Sequence, residues 1–178
     1  MCQPAHEVVE EVLLGRRSVR SYAPEPIDDA TLARILEAAR QAPSAANRQP
    51  WRFVVIRDPA RRQALAQACN GQMWLADAAA LVVALGIPSV SPKWYAVDVA
   101  IALQNLVISA TSFGYGTCWI GAFNEDKVKE LIGAPEDVKV VAITPIGVPK
   151  GDRPAARARK PMGEVFGDET YERGLELG

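Results

Sequence analysis

Apolar residues recur along this chain at two spacings, and each spacing predicts one kind of element. Apolar residues three and four positions apart share one face of an amphipathic helix. This spacing predicts helices over 6–14, 31–41, 60–69, 93–113 and 125–132. Short apolar runs between turn residues predict strands over 53–56, 78–85, 117–120 and 139–146. Helices dominate and are mixed with a few strands, so the pattern favours an α+β (mixed α/β) fold.

Two of these segments lack a polar side. Residues 78–85 form an uninterrupted apolar run, which is typical of a central strand covered on both faces. Residues 93–113 carry apolar side chains almost all round the predicted helix. Such a helix is buried either in a core or in a subunit interface, and a chain of 178 residues has little interior to enclose it. The pattern therefore favours a dimer interface.

Length and composition fit one globular domain, expected over residues 1–166 with a short tail at 167–178. Hydrophobic residues make up 49% of the chain and charged residues 23%, and the formal net charge is -1. Because the charge is balanced, we expect no nucleic-acid partner. The single histidine, His6, excludes a metal site built from several histidines, and no metal is expected.

The cysteines and the N-terminus indicate in which cellular compartment the protein is expected. Three scattered cysteines without a C-x-x-C pair suit a reducing environment. The first residues include acidic side chains and no apolar core typical of a signal peptide. The longest apolar run, 78–88, is too short to span a bilayer. We therefore expect a cytoplasmic protein with no membrane partner.

Three arginines and a serine lie within five residues, in the run RRSVR at 16–20. In an extended segment Arg16, Ser18 and Arg20 point to one side. The planar guanidinium group suits phosphate oxygens, so this run is a candidate phosphate site. The same run is typical of a solvated basic turn, and the spacing alone leaves both interpretations open.

A second basic cluster lies in the tail, which is rich in proline, glycine and arginine and is expected to be extended from Pro149. Its members are Lys150, Arg153, Arg157, Arg159 and Lys160. Alone, such a run is more often a solvated tail. Together, the two clusters also suit one shared phosphate dianion. Nucleic acid is the competing ligand, and the balanced charge and the lack of interleaved aromatic residues disfavour it.

The loop APSAANRQPW at 42–51 combines small residues with hydrogen-bonding side chains between two prolines. Small residues let a flat ligand approach the backbone. The side chains of Ser44, Asn47 and Gln49 match the donors and acceptors of a heterocycle. The loop also fits an ordinary turn after a helix, but its density of polar groups favours a binding role.

The segment TCWIGAFN at 117–124 ends a predicted strand at Gly121 and Ala122. Backbone N–H groups left open there can donate to a ring nitrogen or carbonyl oxygen and stabilise developing charge. The Gly-Tyr-Gly run at 114–116 lacks the third glycine of a dinucleotide fingerprint and follows a helix rather than a strand. That run is therefore interpreted as a helix cap and turn.

These segments, in this order, resemble the nitroreductase family of flavin mononucleotide (FMN) oxidoreductases. The resemblance covers residues 7–165 and rests on RRSVR, PSAANRQPW, the apolar helix ending in FGYGTCWIGAFNE, TPIGVP and RARKP. It implies a central, mostly antiparallel sheet flanked by helices. It also implies a domain-swapped homodimer that holds FMN at its interface. The chain is similar to the short members, which lack long lid insertions.

The resemblance implies the following contacts to FMN. The residues that match its phosphate, ribityl and pyrimidine contacts are Arg16, Arg17, Ser18 and Arg20. The tail residues that match those closing on the phosphate are Arg157, Arg159 and Lys160. The loop residues that match flavin contacts are Pro43, Ser44, Ala45 and Asn47, the last reaching the site of the other subunit. Gln104 is placed where the long helix passes the cofactor, and Asn70 and Gln72 lie in a loop that makes a polar contact in some members. The expected catalytic groups are the backbone amides of Gly121 and Ala122, near flavin N5 and O4.

The resemblance implies an enzyme that moves hydride from NAD(P)H through flavin N5 to nitroaromatic, quinone or similar small acceptors in a ping-pong cycle. Two alternatives stay open. One is a specialised flavin enzyme on the same scaffold, such as a dehalogenase, an azoline oxidase or a flavin-cleaving enzyme. The other is a non-enzymatic dimer with a basic tail. Trp94 and Tyr95, just before the long helix, suit either a pocket wall or the subunit interface.

Overall fold

A four-stranded sheet organises the chain, and its strands come from the apolar runs of the sequence. The computed structural model of the protein describes residues 4–152 and 154–177. The strands are β1 (Trp51–Ile56), β2 (Ala80–Gly86), β3 (Gly116–Thr117) and β4 (Lys139–Gly147). Their order is β1-β2-β4-β3, and every neighbouring pair is antiparallel. The predicted α+β fold with a mostly antiparallel sheet is confirmed.

Helices flank this sheet close to the positions that the apolar spacing predicts. They are α1 (Ala5–Gly15), α2 (Asp29–Arg40), α3 (Pro59–Ala68), α4 (Tyr95–Ser112), α5 (Glu125–Ile132) and α6 (Met162–Val165). The side chains of Asp28, Asp58 and Asn124 accept from the amides three residues on and so fix the starts of α2, α3 and α5. The sequence pattern does not predict α6, because it is a single turn with no buried side chain.

Strand β2 is the centre of the core. Each of its residues is buried, as its uninterrupted apolar run predicts. Successive side chains of a strand point to opposite faces, so β2 contributes to two separate clusters. Leu81 and Val83 pack with α3 and α5 residues such as Leu65, whereas Val82 and Ala84 pack with α2 and α4.

Helix α4 is apolar on both sides, but this chain covers only one of them. Val99, Leu103 and Leu106 are fully buried in the core beneath the sheet. On the opposite side, Val97 is 47% exposed and Ile101 is 38% exposed. Among the described residues, α4 alone has the length and hydropathy of a membrane span, a property that core helices share. Its buried face shows that here it serves as a core helix.

Strand β3 is shorter than predicted. The pairing with β4 stops at Thr117 and resumes only as an isolated bridge between Ile120 and Ile143. The edge beyond β3 is occupied instead by the extended segment after α1, where Ser18 forms a parallel bridge with Thr117. Further along, Tyr22 of this segment bridges Pro149 at the start of the tail. The extended segment that follows α1 therefore contacts both the sheet edge at Thr117 and the start of the tail at Pro149.

The ring of Tyr95 lies against β2 at Gly86, where a side chain would collide with it. Tyr95 is half-buried by this contact, so within the chain it packs on the sheet rather than lining a cavity. Trp94 is 42% exposed, and the ammonium group of Lys93 lies 4.9 Å from its ring centre. The two aromatic residues therefore have different environments.

The core role of α4 is testable by truncation of one leucine. Leu103→Ala is expected to lower the free energy of unfolding by about 2–5 kcal/mol, because it removes a fully buried side chain. Leu177→Ala, at a position that is 74% exposed, is the matched control and is expected to cost less than about 0.5 kcal/mol. Urea unfolding at one fixed protein concentration measures both. Equal losses in the two variants would contradict the assignment of the core.

Candidate functional site

A cavity of about 540 Å³ opens between the end of α1 and the tail. The polar part of its lining is Arg16, Arg17, Ser18, Arg20, Arg157 and Arg159. Leu13, Leu14 and residues 154–156 complete the wall. Five guanidinium groups, drawn from opposite ends of the chain, thus face one space. Such a group of cations suits a dianionic phosphate, whose oxygens each accept charge-assisted hydrogen bonds.

Backbone pairing explains why the two basic clusters meet. The amide of Val19 donates to the carbonyl of Thr117 at 2.9 Å, which holds the RRSVR segment against β3. On the other side of the same segment, the amide of Lys150 donates to the carbonyl of Ser21 at 3.0 Å. The tail therefore begins alongside the extended segment and continues towards the cavity.

Arg17 lines the cavity in a fixed orientation. Its Nη1 donates to the carbonyls of Leu14 and Arg16, at 2.5 and 2.9 Å, at the end of α1. These bonds fix the guanidinium group in one orientation. Its Nε is buried and has no hydrogen-bond partner among the described residues. Because this nitrogen is enclosed by the chain, a ligand in the cavity meets the positive charge of Arg17 rather than its Nε–H group.

The basic residues of the tail differ in their position relative to the cavity. Arg159 lies at the cavity, and its Nη1 donates to the carbonyl of Arg157 at 3.1 Å. Lys160 does not line the cavity; its Nζ lies 3.9 Å from a carboxylate oxygen of Glu164 instead. Arg153 lies outside the described residues. The structure therefore brings Arg157 and Arg159 to the candidate phosphate position, but not Lys160.

The loop at 43–50 forms a tight turn. It contains a 3₁₀ helix (Ala45–Asn47), and the Ser44 hydroxyl accepts from the amide of Gln49 at 2.9 Å. Ala46, Asn47 and Gln49 adopt φ angles of 50°, 53° and 50°, a left-handed region that is unfavourable for residues with a side chain. The amide of Ala45 donates to a carboxylate oxygen of Asp98, near the start of α4, at 3.1 Å.

This loop and the arginine-lined cavity lie at opposite ends of α4. The loop is bonded at Asp98, whereas Ser18 of the cavity pairs with Thr117, beyond the last residue of the helix. At about 1.5 Å of rise per residue, Asp98 and Ser112 are separated by about 20 Å along the helix. The structure therefore does not bring Pro43, Ser44, Ala45 and Asn47 to the cavity of their own chain.

Gly121 and Ala122 end the sheet with open amides. Ile120 and Ile143 exchange two backbone hydrogen bonds, of 2.9 and 3.0 Å, and so fix the chain just before Gly121. Within the described chain, the amides of Gly121 and Ala122 donate no hydrogen bond. A Cβ built on Gly121 has nothing within 4 Å, so a flat ligand has space to lie against this backbone. These features suit donation to a ring atom, as the sequence predicts.

Two further side chains lie beside this segment. Nε2 of Gln72 is 3.4 Å from the carbonyl oxygen of Ala122, so the loop at 70–72 lies next to the open amides. The indole N–H of Trp119 donates to Oε1 of Gln104 at 3.2 Å, which joins α4 to the same segment. Gln104 thus contacts the segment that leads to Gly121, but it does not line the arginine-lined cavity. An Asn-Gly pair at 70–71 indicates a turn, but nothing in it predicts which segment that turn contacts.

Fold and site together define a class: an α+β protein whose arginine-lined cavity and open backbone amides suit a phosphorylated heterocycle. The chain belongs to the nitroreductase family, whose model matches residues 13–87 and 74–148. It is 32% identical to an FMN reductase [NAD(P)H] of Bacillus subtilis over 190 residues, covering 93% of this chain and 75% of that protein.

A solved structure and a second relative extend this comparison. The NADPH:FMN oxidoreductase from Vibrio harveyi complexed with NAD+ has a TM-score of 0.85 and 28% identity, covering 96% of this chain and 80% of that one. A 5,6-dimethylbenzimidazole synthase of Rhodospirillum rubrum is 28% identical over 170 residues, covering 78% of this chain and 81% of that protein. The flavin and nicotinamide that the resemblance implies are thus confirmed at the level of the family.

The two cysteines in the described chain differ from reactive thiols. Cys69 is fully buried, and burial raises the pKa of its thiol to about 11. Burial also raises the pKa of Cys118, although Arg20, a hydrogen bond with Ser18 and Arg16 oppose the shift. Because thiolate is the reactive form, neither side chain is suited to act as a nucleophile near neutral pH.

Thiol labelling tests this prediction. In a Cys2→Ser background, which removes a thiol outside the described residues, native protein at pH 8 is expected to react with a disulfide reagent at less than about a hundredth of the unfolded rate. At that pH, a group with a pKa near 11 is about one part in a thousand thiolate. The unfolded protein serves as the control and should label both thiols. Rapid labelling of the native protein would contradict the prediction.

Proposed function

We propose that this protein is an FMN-dependent NAD(P)H oxidoreductase that acts as a homodimer on small flat acceptors such as nitroaromatics and quinones. The observation that carries the proposal is the cavity lined by five arginines from both ends of the chain. The names of the B. subtilis and V. harveyi relatives support the cofactor and the donor.

The residues present fit FMN. Arg20, Arg157 and Arg159, with the Ser18 hydroxyl, hold the phosphate through charge-assisted hydrogen bonds. Arg17, held at the end of α1, would add positive charge to the lining. When bound, FMN would supply the redox chemistry, which is hydride transfer between NAD(P)H and the acceptor. The chain contributes binding, orientation and the electrostatic environment.

The open amides of Gly121 and Ala122 are the groups that touch the reacting part of the site. They project from a strand end fixed by the Ile120–Ile143 pair, so their direction is set before a ligand arrives. Preorganised donors of this kind stabilise negative charge that develops on a ring nitrogen or oxygen. The loop with Ser44 and Asn47 supplies the opposite wall, which limits acceptors to flat molecules.

A second copy of the chain completes the site. The loop with Ser44 lies about 20 Å along α4 from the cavity of its own chain. The exposed stripe of α4, which includes Val97, Ala100 and Ile101, offers an apolar surface for a two-fold contact. If two copies of α4 cross about a two-fold axis, each loop meets the cavity of the other chain. The exposed Val165 and Phe166 of the tail suit the domain-swapped contact that the resemblance implies.

A flavin-cleaving enzyme is the second candidate, since the R. rubrum relative is named 5,6-dimethylbenzimidazole synthase. A visible spectrum before and after anaerobic NADH or NADPH tests both. A flavin band that bleaches and returns in full with menadione or a nitroarene supports the reductase. A stoichiometric loss of flavin on aeration supports the cleaving enzyme, and failure to take up added FMN contradicts both.

Removal of one cavity arginine is expected to weaken flavin retention. Arg20→Ala should raise the Kd for FMN by about 10- to 100-fold, the effect of one charge-assisted hydrogen bond. Turnover of the flavin-loaded fraction should change little. Arg52→Ala, on the exposed side of β1 at the far edge of the sheet, is the matched control. Unchanged FMN affinity in Arg20→Ala, measured by flavin fluorescence, would overturn the phosphate assignment.

A charge introduced into the exposed apolar stripe of α4 tests the proposed dimer interface. Ile101→Asp is expected to convert the dimer to a monomer, because it places a carboxylate in an apolar contact, and FMN binding should fall with it. Gln67→Asp, exposed on α3 at the other face of the sheet, is the control. Light scattering after gel filtration measures the mass. A dimeric Ile101→Asp variant would contradict this interface.

A further inference from the structure

Asp98 is a buried carboxylate whose role the proposed reaction does not yet explain. It lies in the first turn of α4 and is 3% exposed. One oxygen, Oδ1, accepts from the amide of Ala45 at 3.1 Å, across 53 residues of sequence. The other oxygen, Oδ2, is buried without a partner among the described residues. Burying a carboxylate this way is costly compared with an apolar side chain of similar size.

Asp98 provides the one hydrogen bond that residues 43–48 make to described residues outside the loop, and Pro50 at the end of the loop accepts from the amide of Ile87 at 2.8 Å. Within the described chain, residues 43–48 otherwise bond only to one another and to Gln49. The loop also holds three side-chain-bearing residues in the left-handed region, Ala46, Asn47 and Gln49. A strained loop keeps its shape only when its surroundings determine it. The carboxylate of Asp98 holds the start of the loop, and the amide of Ile87 holds its end.

We propose that Asp98 is a positioning residue: it holds the loop of Ser44 and Asn47 in the shape that receives the flavin. Because that loop is bonded at the opposite end of α4 from the cavity of its own chain, Asp98 of one subunit acts on the flavin bound in the cavity of the other. The start of α4 suits the charge, since the helix dipole stabilises a carboxylate at an N-terminus. This inference rests on the proposed function.

Two substitutions separate the hydrogen bond from the packing. Asp98→Ala removes the acceptor for the Ala45 amide and is expected to raise the Kd for FMN about 10- to 100-fold. Asp98→Asn keeps an acceptor oxygen at the same position and is expected to stay within about threefold of the native chain. Ser91→Ala is the matched control, since the Ser91 hydroxyl is also fully buried and unpartnered near the start of α4.

A loop readout independent of flavin accompanies these measurements. In the FMN-free protein, amide hydrogen exchange in a peptide spanning residues 43–50 should accelerate in Asp98→Ala. It should remain at the native rate in Asp98→Asn and Ser91→Ala. An Asp98→Ala variant with native exchange and native FMN affinity would overturn the inference. The proposed function would still stand if Arg20→Ala lost affinity in the same assay.

Mixed dimers test whether Asp98 acts on the other subunit. Subunits carrying Asp98→Ala and subunits carrying Arg20→Ala, differently tagged, are combined and the hybrid is purified. If Asp98 acts across the interface, one site of the hybrid combines an intact cavity with an intact loop. That hybrid should bind one FMN per dimer with native affinity, although neither homodimer does. Absence of a tight site in the hybrid would overturn action across the interface.

Discussion

The length and two-sidedness of α4 constrain everything else in this protein. One side of the helix closes the core against β2 and β4, with Leu103 and Leu106 fully buried. The other side leaves Val97 and Ile101 in solvent. The same helix has the 43–50 loop bonded at one end and the arginine-lined cavity near the other. The proposed homodimer would bury the exposed stripe and bring the two parts of the site together.

A second constraint is electrostatic. Five guanidinium groups facing one cavity repel each other, and their repulsion is relieved when a dianion binds among them. The backbone pairing of Val19 with Thr117 and of Lys150 with Ser21 forces this proximity. Folding therefore brings the charges together before any ligand is present. A ligand that binds only the folded state then adds to stability, so phosphate binding and folding are linked.

Local patterns predict most of this fold. The first five helices and three of the strands follow from apolar spacing, and caps such as Asp28 and Asn124 explain where helices begin. The shortened β3 does not follow, because its length depends on the competing segment at Ser18 rather than on its own residues. Helix α6 is missed for a related reason: one turn without buried side chains carries no periodic signal.

The candidate site likewise contains some features that local patterns predict and others that depend on tertiary contacts. Residue types and spacing suffice to predict that arginines of both termini suit one phosphate, but not that Lys160 pairs with Glu164 instead. Spacing also gives no sign of Asp98, a single acidic residue in an apolar helix whose importance lies in a bond across 53 positions. Contacts of this kind depend on tertiary packing, which a periodic pattern does not encode.

The chemistry of the cofactor explains why the sequence indicates a ligand more clearly than a substrate. A flavin carries out hydride transfer itself, so the chain needs an anchor for the phosphate, donors at the ring and a shaped space above it. The anchor and the donors have recognisable signatures, arginine clusters and a Gly-Ala strand end. In the proposed homodimer, the shape of that space would depend on the loop of Ser44 and Asn47, which Asp98 contacts through the amide of Ala45. The acceptor would then be selected by a surface that two chains build together, and a surface of that kind is described by no short motif in one chain.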